Sequence, residues 1–222
     1  MQINLSLPDF TGVQGNTPEV IADIIRKAIF DGTFKAGQPL RQDQIAQALK
    51  ISKIPIREAL VQLKAEGLVV FLPNRGALVS RLSQDEVKEI FSMRLALESL
   101  AVQNAIPNFS EADSIRAQGI LQIIEKEKDR KAWNDLNWEF HEILYRPSGM
   151  KLLLNSIRVL HNNVARYLIV YLDHLSGATA SGLEHWEILK AYQMGDEKKA
   201  VQFLKTHLVN AQKCLIGYLE KE

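Results

Sequence analysis

The alternation of apolar and polar positions divides the chain into a short region with mixed helix and strand signals and a longer region that is helical throughout. Val20, Ile21, Ile24, Ile25, Ala28 and Ile29 recur at the spacing of one helix face, with Thr17 and Pro18 as N-cap and first helical residue and Gly32 as the stop. Gly37 and Pro39 mark a turn over 33–39. A second helix is predicted from Arg41 to Leu49, burying Ile45, Ala46 and Leu49, and a third starts after Ser52, with Ile56, Ala59, Leu60 and Leu63 inward until Gly67. Leu68 to Leu72 then read as a strand, Pro73 to Gly76 as a turn and Ala77 to Val79 as the returning strand. Three helices followed by a hairpin is the layout of a winged helix-turn-helix.

Beyond Ser83 the strand signal stops. Ser83 with Glu86 three residues later forms a capping-box pattern for a helix reaching about Asn104. Further amphipathic stretches cover about 110–128, 130–145, 149–173, 179–194 and 196–219, and the short connections between them predict an antiparallel helical bundle. The expected fold class is therefore mainly α, in three parts. Residues 1–16, with Pro8, Gly12 and Gly15 and no sustained period, form a flexible N-terminal arm. Residues 17–80 form the winged helix-turn-helix, and residues 81–222 form the bundle.

Composition changes this picture little. Hydrophobic residues make up 46%, charged residues 24%, and the formal net charge is +1, which neither demands nor excludes a nucleic-acid partner. Residues 1–80 carry nine basic against seven acidic side chains, so a DNA-binding reading must rest on where the basic residues sit. Cys214 is the single cysteine and has no internal disulfide partner. With neither a basic-then-apolar leader nor a run of about 18 apolar residues, a soluble cytoplasmic protein without a membrane partner is expected.

In a helix-turn-helix the second helix of the motif enters the major groove with its N-terminal residues nearest the bases. Here those are Ser52, Lys53, Ile54, Pro55 and Arg57. Lys53 can donate to guanine or phosphate, Arg57 has the fork for a bidentate guanine contact, and Ile54 suits a thymine methyl. Arg41 and Lys64 are candidate phosphate anchors, and Arg75 projects from the hairpin tip where a wing meets DNA. Each has a plainer reading: Ser52 caps any helix, Lys53 is solvated, Arg57 pairs with Glu58, and Arg75 is an ordinary exposed turn residue.

The stretch LRQDQIAQALKISKIPIREALVQLKAEGLVVFLPNRGALVS resembles the N-terminal domain of the GntR family of bacterial repressors and activators, most closely over Ser52 to Leu60, Glu66 to Val69 and Pro73 to Gly76. The resemblance covers about 65 residues and implies a homodimer that binds double-stranded operator DNA through recognition helix and wing. Family members usually carry Arg where Lys53 stands and Thr or Ser where Ile54 stands. In some an arginine stands at the position of Asp43, so Asp43 is no phosphate anchor. Lys keeps the charge but loses the bidentate fork, which implies an operator preference of its own.

The helical region holds a second pattern. His141 follows Asn137 by four residues, so both project from one helix face, together with Phe140 and Leu144. His185 lies near Leu189 and Tyr192, and His207 lies among Phe203, Leu204, Ala211 and Leu215. Singly, each is more often a satisfied core histidine. Jointly, several uncharged imidazoles in one interior are costly unless their nitrogens are paired, and a divalent ion pairs them directly. Three imidazoles with an oxygen ligand suit zinc, nickel or iron. His161 and His174 are expected on the surface or in a loop.

Residues 84–215 resemble the FCD ligand-binding domain of FadR-like GntR regulators, through Arg94 to Glu98, Phe140-His141, Glu184-His185, Gly195-Asp196 and His207-Leu208. That resemblance implies a metal held by an aspartate and three histidines. His141, His185 and His207 match the histidines, and Asn137 replaces the aspartate. It further implies a small carboxylate effector that completes the coordination and meets an arginine, Arg94 first and Arg166 second; the plainer reading of each is a helix-surface ion pair. Effector binding would change operator affinity through a hinge at Ser80 to Ser83. Two other readings of the bundle stay open at this point: a metal-dependent hydrolase, and a structural dimerisation bundle with no sensing role.

Overall fold

The computed structural model describes the backbone of residues 17–30, 32–172 and 177–220, and side chains within these except at 130–131, 166, 168–172 and 177–181. The arm at 1–16, His174 and the Arg166 side chain lie outside the described residues. The chain forms two compact units that part between Arg81 and Leu82.

The first unit contains α1 (Pro18–Phe30), α2 (Gln42–Leu49), α3 (Lys53–Ala65), β1 (Val69–Leu72) and β2 (Gly76–Val79). Helices α1 and α2 both pack on α3, which rests on β1. Ile21, Ile25, Ile56, Leu60, Leu63 and Leu68 are almost wholly buried in a core that continues to Ala77 and Val79. Burial of this apolar face contributes about 25 cal/mol per Å², and it fixes the opposite face of α3 outward. A forked ion pair locks the far end of α3: Arg26 donates from Nε and Nη2 to the two Glu66 carboxylate oxygens at 2.8 and 2.6 Å.

The hairpin is antiparallel, pairing Val69 with Val79 and Leu72 with Gly76, so Pro73, Asn74 and Arg75 form its tip. Asn74 (φ 62°) and Gly76 (φ 72°) take the left-handed conformations that close so short a turn. Gly37 to Leu40, expected only as a turn, also lies along the free edge of β2. Gly37 N–H donates to Val79 O at 2.9 Å, Leu40 N–H to Ala77 O at 2.8 Å, and Val79 N–H to Gln38 O at 2.9 Å. An open strand edge has unsatisfied backbone groups, and this segment satisfies them.

The second unit is all helical: α4 (Gln84–Ala105), α5 (Glu111–Ile124), α6 (Arg130–Tyr145), α7 (Lys151–Leu172), α8 (Gly177–Gln193) and α9 (Glu197–Leu219). The expected Ser83–Glu86 capping box is present, and a second, Ser110 with Asp113, starts α5. Asp129 and Asp196 cap α6 and α9. Helix α5 ends at Ile124, four residues before the sequence expectation, because Glu125 to Asp129 offers no apolar side chain to bury and Asp129 is used as the next cap. Helix α4 packs against α6, α7 and α9, and α8 against α5 and α9. Among the described residues no helix is long and apolar enough to cross a membrane.

The segment joining the units is anchored at each end within its own unit. Ser80 Oγ donates to Gly67 O at 2.6 Å and Arg81 Nε to Ala36 O at 3.4 Å, whereas Leu82 N–H donates to Tyr167 Oη at 2.9 Å and Ser83 is the α4 cap.

Candidate nucleic-acid interface and metal centre

The outward face of α3 carries the residues singled out for base reading. Lys53, Ile54 and Arg57 are exposed, and Ile54, at 70% exposure, has nothing in the fold to justify an apolar side chain. Ser52 is the N-cap by position, yet its hydroxyl makes no capping hydrogen bond and no acidic residue occupies the first turn. That leaves a hydroxyl and positive helix-end N–H groups available to an anion. Arg57 has no ion-pair partner among the described residues, so the pairing with Glu58 does not form.

A groove of about 950 Å³ runs beside this helix start, lined by Arg41, Asp43, Lys53, Asn74 and Arg75 among others. It brings three of the expected basic residues together with the wing. Lys64 is not among its lining residues; it sits near the far end of α3, its ammonium 5.9 Å from the centre of the Phe71 ring. The structure adds a contact that residue-by-residue reading missed: Lys53 Nζ is ion-paired with Asp43, both largely exposed.

In the second unit four helices deliver polar side chains to one buried region. His141 (α6), His185 (α8) and His207 (α9) are all buried, and one ligand atom from each lies within 4.8 Å of the others. Ring centres are 5.2 Å apart for His141 and His185, 5.3 Å for His141 and His207, and 4.6 Å for His185 and His207. Burial pushes the pKa values of His141 and His185 well below that of a free imidazole, and the neighbouring histidine charges add to this. Both rings are held neutral, so each has one bare lone pair.

Hydrogen bonding decides which lone pair is bare. Tyr145 Oη donates its only proton to Glu98 Oε2 at 2.7 Å, and Arg94 Nε donates to Glu98 Oε1 at 2.6 Å. The Tyr145 oxygen can then only accept from His141, whose Nδ1 is 3.1 Å away. His141 is thereby fixed as the Nδ1–H tautomer with Nε2 bare and aimed inward. His207 Nδ1 lies 2.8 Å from Glu184 Oε2, so Nε2 is again the atom left free. Burial resists ionisation of Glu184, but hydrogen bonds from His207 and Asn210 outweigh it and hold that carboxyl below its ordinary range.

The region fits a divalent cation by the state of its polar atoms. His141 Nε2, both ring nitrogens of His185 and Asn137 Oδ1 are buried with no hydrogen-bond partner. Unpaired buried acceptors are costly. A cation with three nitrogen donors and one carbonyl oxygen satisfies them together. Asn137, buried one turn before His141 on α6, occupies the position for that oxygen.

Arg94 is buried rather than on a helix surface, which corrects the surface ion-pair alternative for this residue; it forms an internal pair with Glu98 and stacks 5.3 Å from the Phe91 ring centre. His161 corrects a second expectation. It lies within α7 at 2% exposure, neither on the surface nor in a loop. Glu98, Tyr145 and Glu184 were not anticipated, though a signal was present: Glu98 is four residues after Arg94, Tyr145 four after His141, and Glu184 adjoins His185. Of the carboxylates at this site, Glu98 accepts from Arg94 and Tyr145, and Glu184 engages His207 and Asn210. Neither is free as a general base.

With this geometry in place, comparison with known proteins is decisive. The model of the FCD domain matches residues 89–210, and that of bacterial regulatory proteins, gntR family, matches residues 17–79. The chain belongs to the GntR family and carries an FCD domain. It is 30% identical over 196 residues to YdhC, an HTH-type transcriptional regulator of Bacillus subtilis strain 168, covering 82% of this chain and 84% of that one. The fold of McbR/YncC from E. coli superposes with a TM-score of 0.78 at 21% identity, over 95% of this chain and all of the other. The Zn2+-bound FCD domain of TM0439 is similar at TM-score 0.50 and 21% identity, over 64% of this chain and all of that domain. Such relatives are transcriptional regulators rather than enzymes, and this GntR-family chain is a DNA-binding regulator with a candidate metal site at His141, His185 and His207.

Proposed function

We propose that this regulator binds a two-fold operator in double-stranded DNA as a homodimer and that a small carboxylate bound at a metal in the FCD domain sets its operator affinity. The observation that carries the sensing part is the convergence of three buried histidines, among which His141 Nε2 and both ring nitrogens of His185 have no protein partner. The TM0439 domain, whose Zn2+-bound form is known, supports the metal. His141, His185 and His207 hold the ion through nitrogen and Asn137 through its carbonyl oxygen; zinc, nickel and iron all suit that set. The ion supplies a Lewis-acid centre for an anionic ligand. Around it the chain's own residues orient and exclude: Tyr145 and Glu184 fix the imidazole tautomers, and Glu98 holds Arg94, whose remaining guanidinium nitrogens face the ligand's carboxylate. Arg166 is a second contact.

On the DNA side, Lys53, Ile54 and Arg57 read base edges, Ser52, Arg41 and Lys64 contact phosphates, and Arg75 enters from the wing. The DNA-binding unit is 17–80, and the effector-binding and dimerisation unit 81–222. Since the operator lies on the chromosome, the protein acts in the cytoplasm. A coupling of about 1.4 kcal/mol between effector and operator changes DNA affinity tenfold. The test is selection from a randomised duplex library with zinc-loaded full-length protein. Enrichment of a two-fold symmetric site, weakened by about 1–3 kcal/mol in Arg57→Ala through a lost guanine contact, supports the reading. Enrichment of no sequence would overturn it.

A further inference from the structure

Among the described residues, the metal triad leaves one buried histidine unexplained. His161 is 2% exposed on α7, and neither ring nitrogen has a hydrogen-bond partner. It is not one of the three residues whose ligand atoms cluster within 4.8 Å. Its ring packs against Trp138, the residue after Asn137, with centres 5.0 Å apart at 45°, and Trp138 is itself fixed by donating from Nε1 to Glu142 at 3.0 Å. His161 therefore stands beside the triad, held by the same helix that carries Asn137 and His141.

We infer that His161 is a specificity-determining residue of the effector site, selecting a carboxylate that also carries a proton-donating polar substituent, a hydroxyl being the smallest. The inference rests on the carboxylate-sensor reading above and deepens it. An uncharged imidazole presents one N–H donor and one bare acceptor nitrogen. Burial, reinforced by the charge of Arg94, keeps this ring uncharged, and the contributions of Arg94 and His207 place it within electrostatic reach of both. An ionised carboxylate can take the N–H but has no proton for the acceptor nitrogen. A hydroxyl can satisfy it. Tyr192 Oη is likewise buried without a hydrogen-bond partner and lies within electrostatic reach of Glu98 and Tyr145. A ligand with only apolar substituents leaves these atoms unpaired, and a site with unpaired polar atoms discriminates strongly against it.

The experiment is calorimetric titration of zinc-loaded full-length protein with matched pairs: glycolate against acetate, malate against succinate, and 3-hydroxybutyrate against butyrate. At least one hydroxylated member should bind tenfold or more tightly than its partner. His161→Phe should reduce that preference to within twofold while leaving zinc stoichiometry and binding of the unsubstituted acids intact. His161→Gln, which keeps a donor and an acceptor, should retain much of the preference and guards against a packing artefact in the Phe variant. Equal affinities within every pair overturn the inference, and so does a preference that survives His161→Phe, since that comes from chelation of the metal alone. Failure of every acid to bind overturns the carboxylate-sensor reading, and this inference with it; binding without discrimination overturns this inference only.

Discussion

Replacing Glu98 by Gln tests the buried relay that orients the candidate metal centre. Glu98 is fully buried and accepts from both Arg94, itself 4% exposed, and Tyr145. Removing its charge strands the Arg94 guanidinium in the core, which costs about 3–5 kcal/mol; Arg94→Met strands the carboxylate for a similar cost. Together the single losses amount to about 6–10 kcal/mol, comparable with the whole stability of a typical domain. The double variant Arg94→Met, Glu98→Gln removes both charges and leaves chiefly one buried amide or hydroxyl group unpaired, a loss of about 1–3 kcal/mol. The coupling between the two sites is therefore at least about 3 kcal/mol. Urea unfolding of chelator-treated protein measures it directly. All three tryptophans, Trp133, Trp138 and Trp186, lie in the helical unit, so their fluorescence reports on that unit alone. A double variant as unstable as the sum of the singles, or singles costing under about 1 kcal/mol, would refute the buried-pair account.

Tyr145→Phe removes the acceptor that fixes the His141 tautomer, and zinc affinity should fall about 10- to 100-fold; competition with a chromogenic chelator measures it, and an unchanged affinity contradicts the orientation argument. For the metal-free protein, His141, His161 and His185 have folded pKa values well below the ordinary one because of burial. The unfolded chain takes up protons first, so stability present above about pH 6.5 is lost progressively as pH falls toward the folded values, by about 1 kcal/mol per histidine between pH 6.5 and 5.5. Urea midpoints that hold steady or rise over that interval would contradict neutral burial. At the DNA face, Asp43→Asn frees Lys53 from its ion pair. The variant should bind random duplex more tightly and steepen the salt dependence by up to about 0.9 in log–log slope, the worth of one phosphate contact; identical slopes would show that Lys53 already engages DNA despite Asp43.

The periodicity of Ile21 to Ile29 and of Ile56 to Leu63 was enough to place α1 and α3, because each buries a single face. Ser83 and Glu86 marked the start of α4 by local hydrogen bonding alone. The strand-like pairing of Gly37 to Leu40 was hidden, since it depends on β2, some forty residues away. The histidine triad was legible from inward stripes on three helices. The burial of His161 has no signature in the pattern of α7 itself, because it depends on the neighbours that enclose that helix. The Arg94–Glu98–Tyr145–His141 chain was half-visible as two four-residue spacings, but joining them needs the packing of α4 on α6. The Lys53–Asp43 pair crosses from α3 to α2 and has no signature in either helix alone.

The sensing proposal requires a metal centre formed by His141, His185 and His207. Chelator-stripped full-length protein titrated with zinc and then measured at the zinc K-edge addresses it directly. One tightly bound zinc per chain is expected, with three imidazole nitrogens at about 2.0–2.1 Å, and that signature should be lost in His141→Ala and His185→Ala. Absence of stoichiometric zinc, or a bound zinc whose scattering lacks imidazole neighbours, would contradict it.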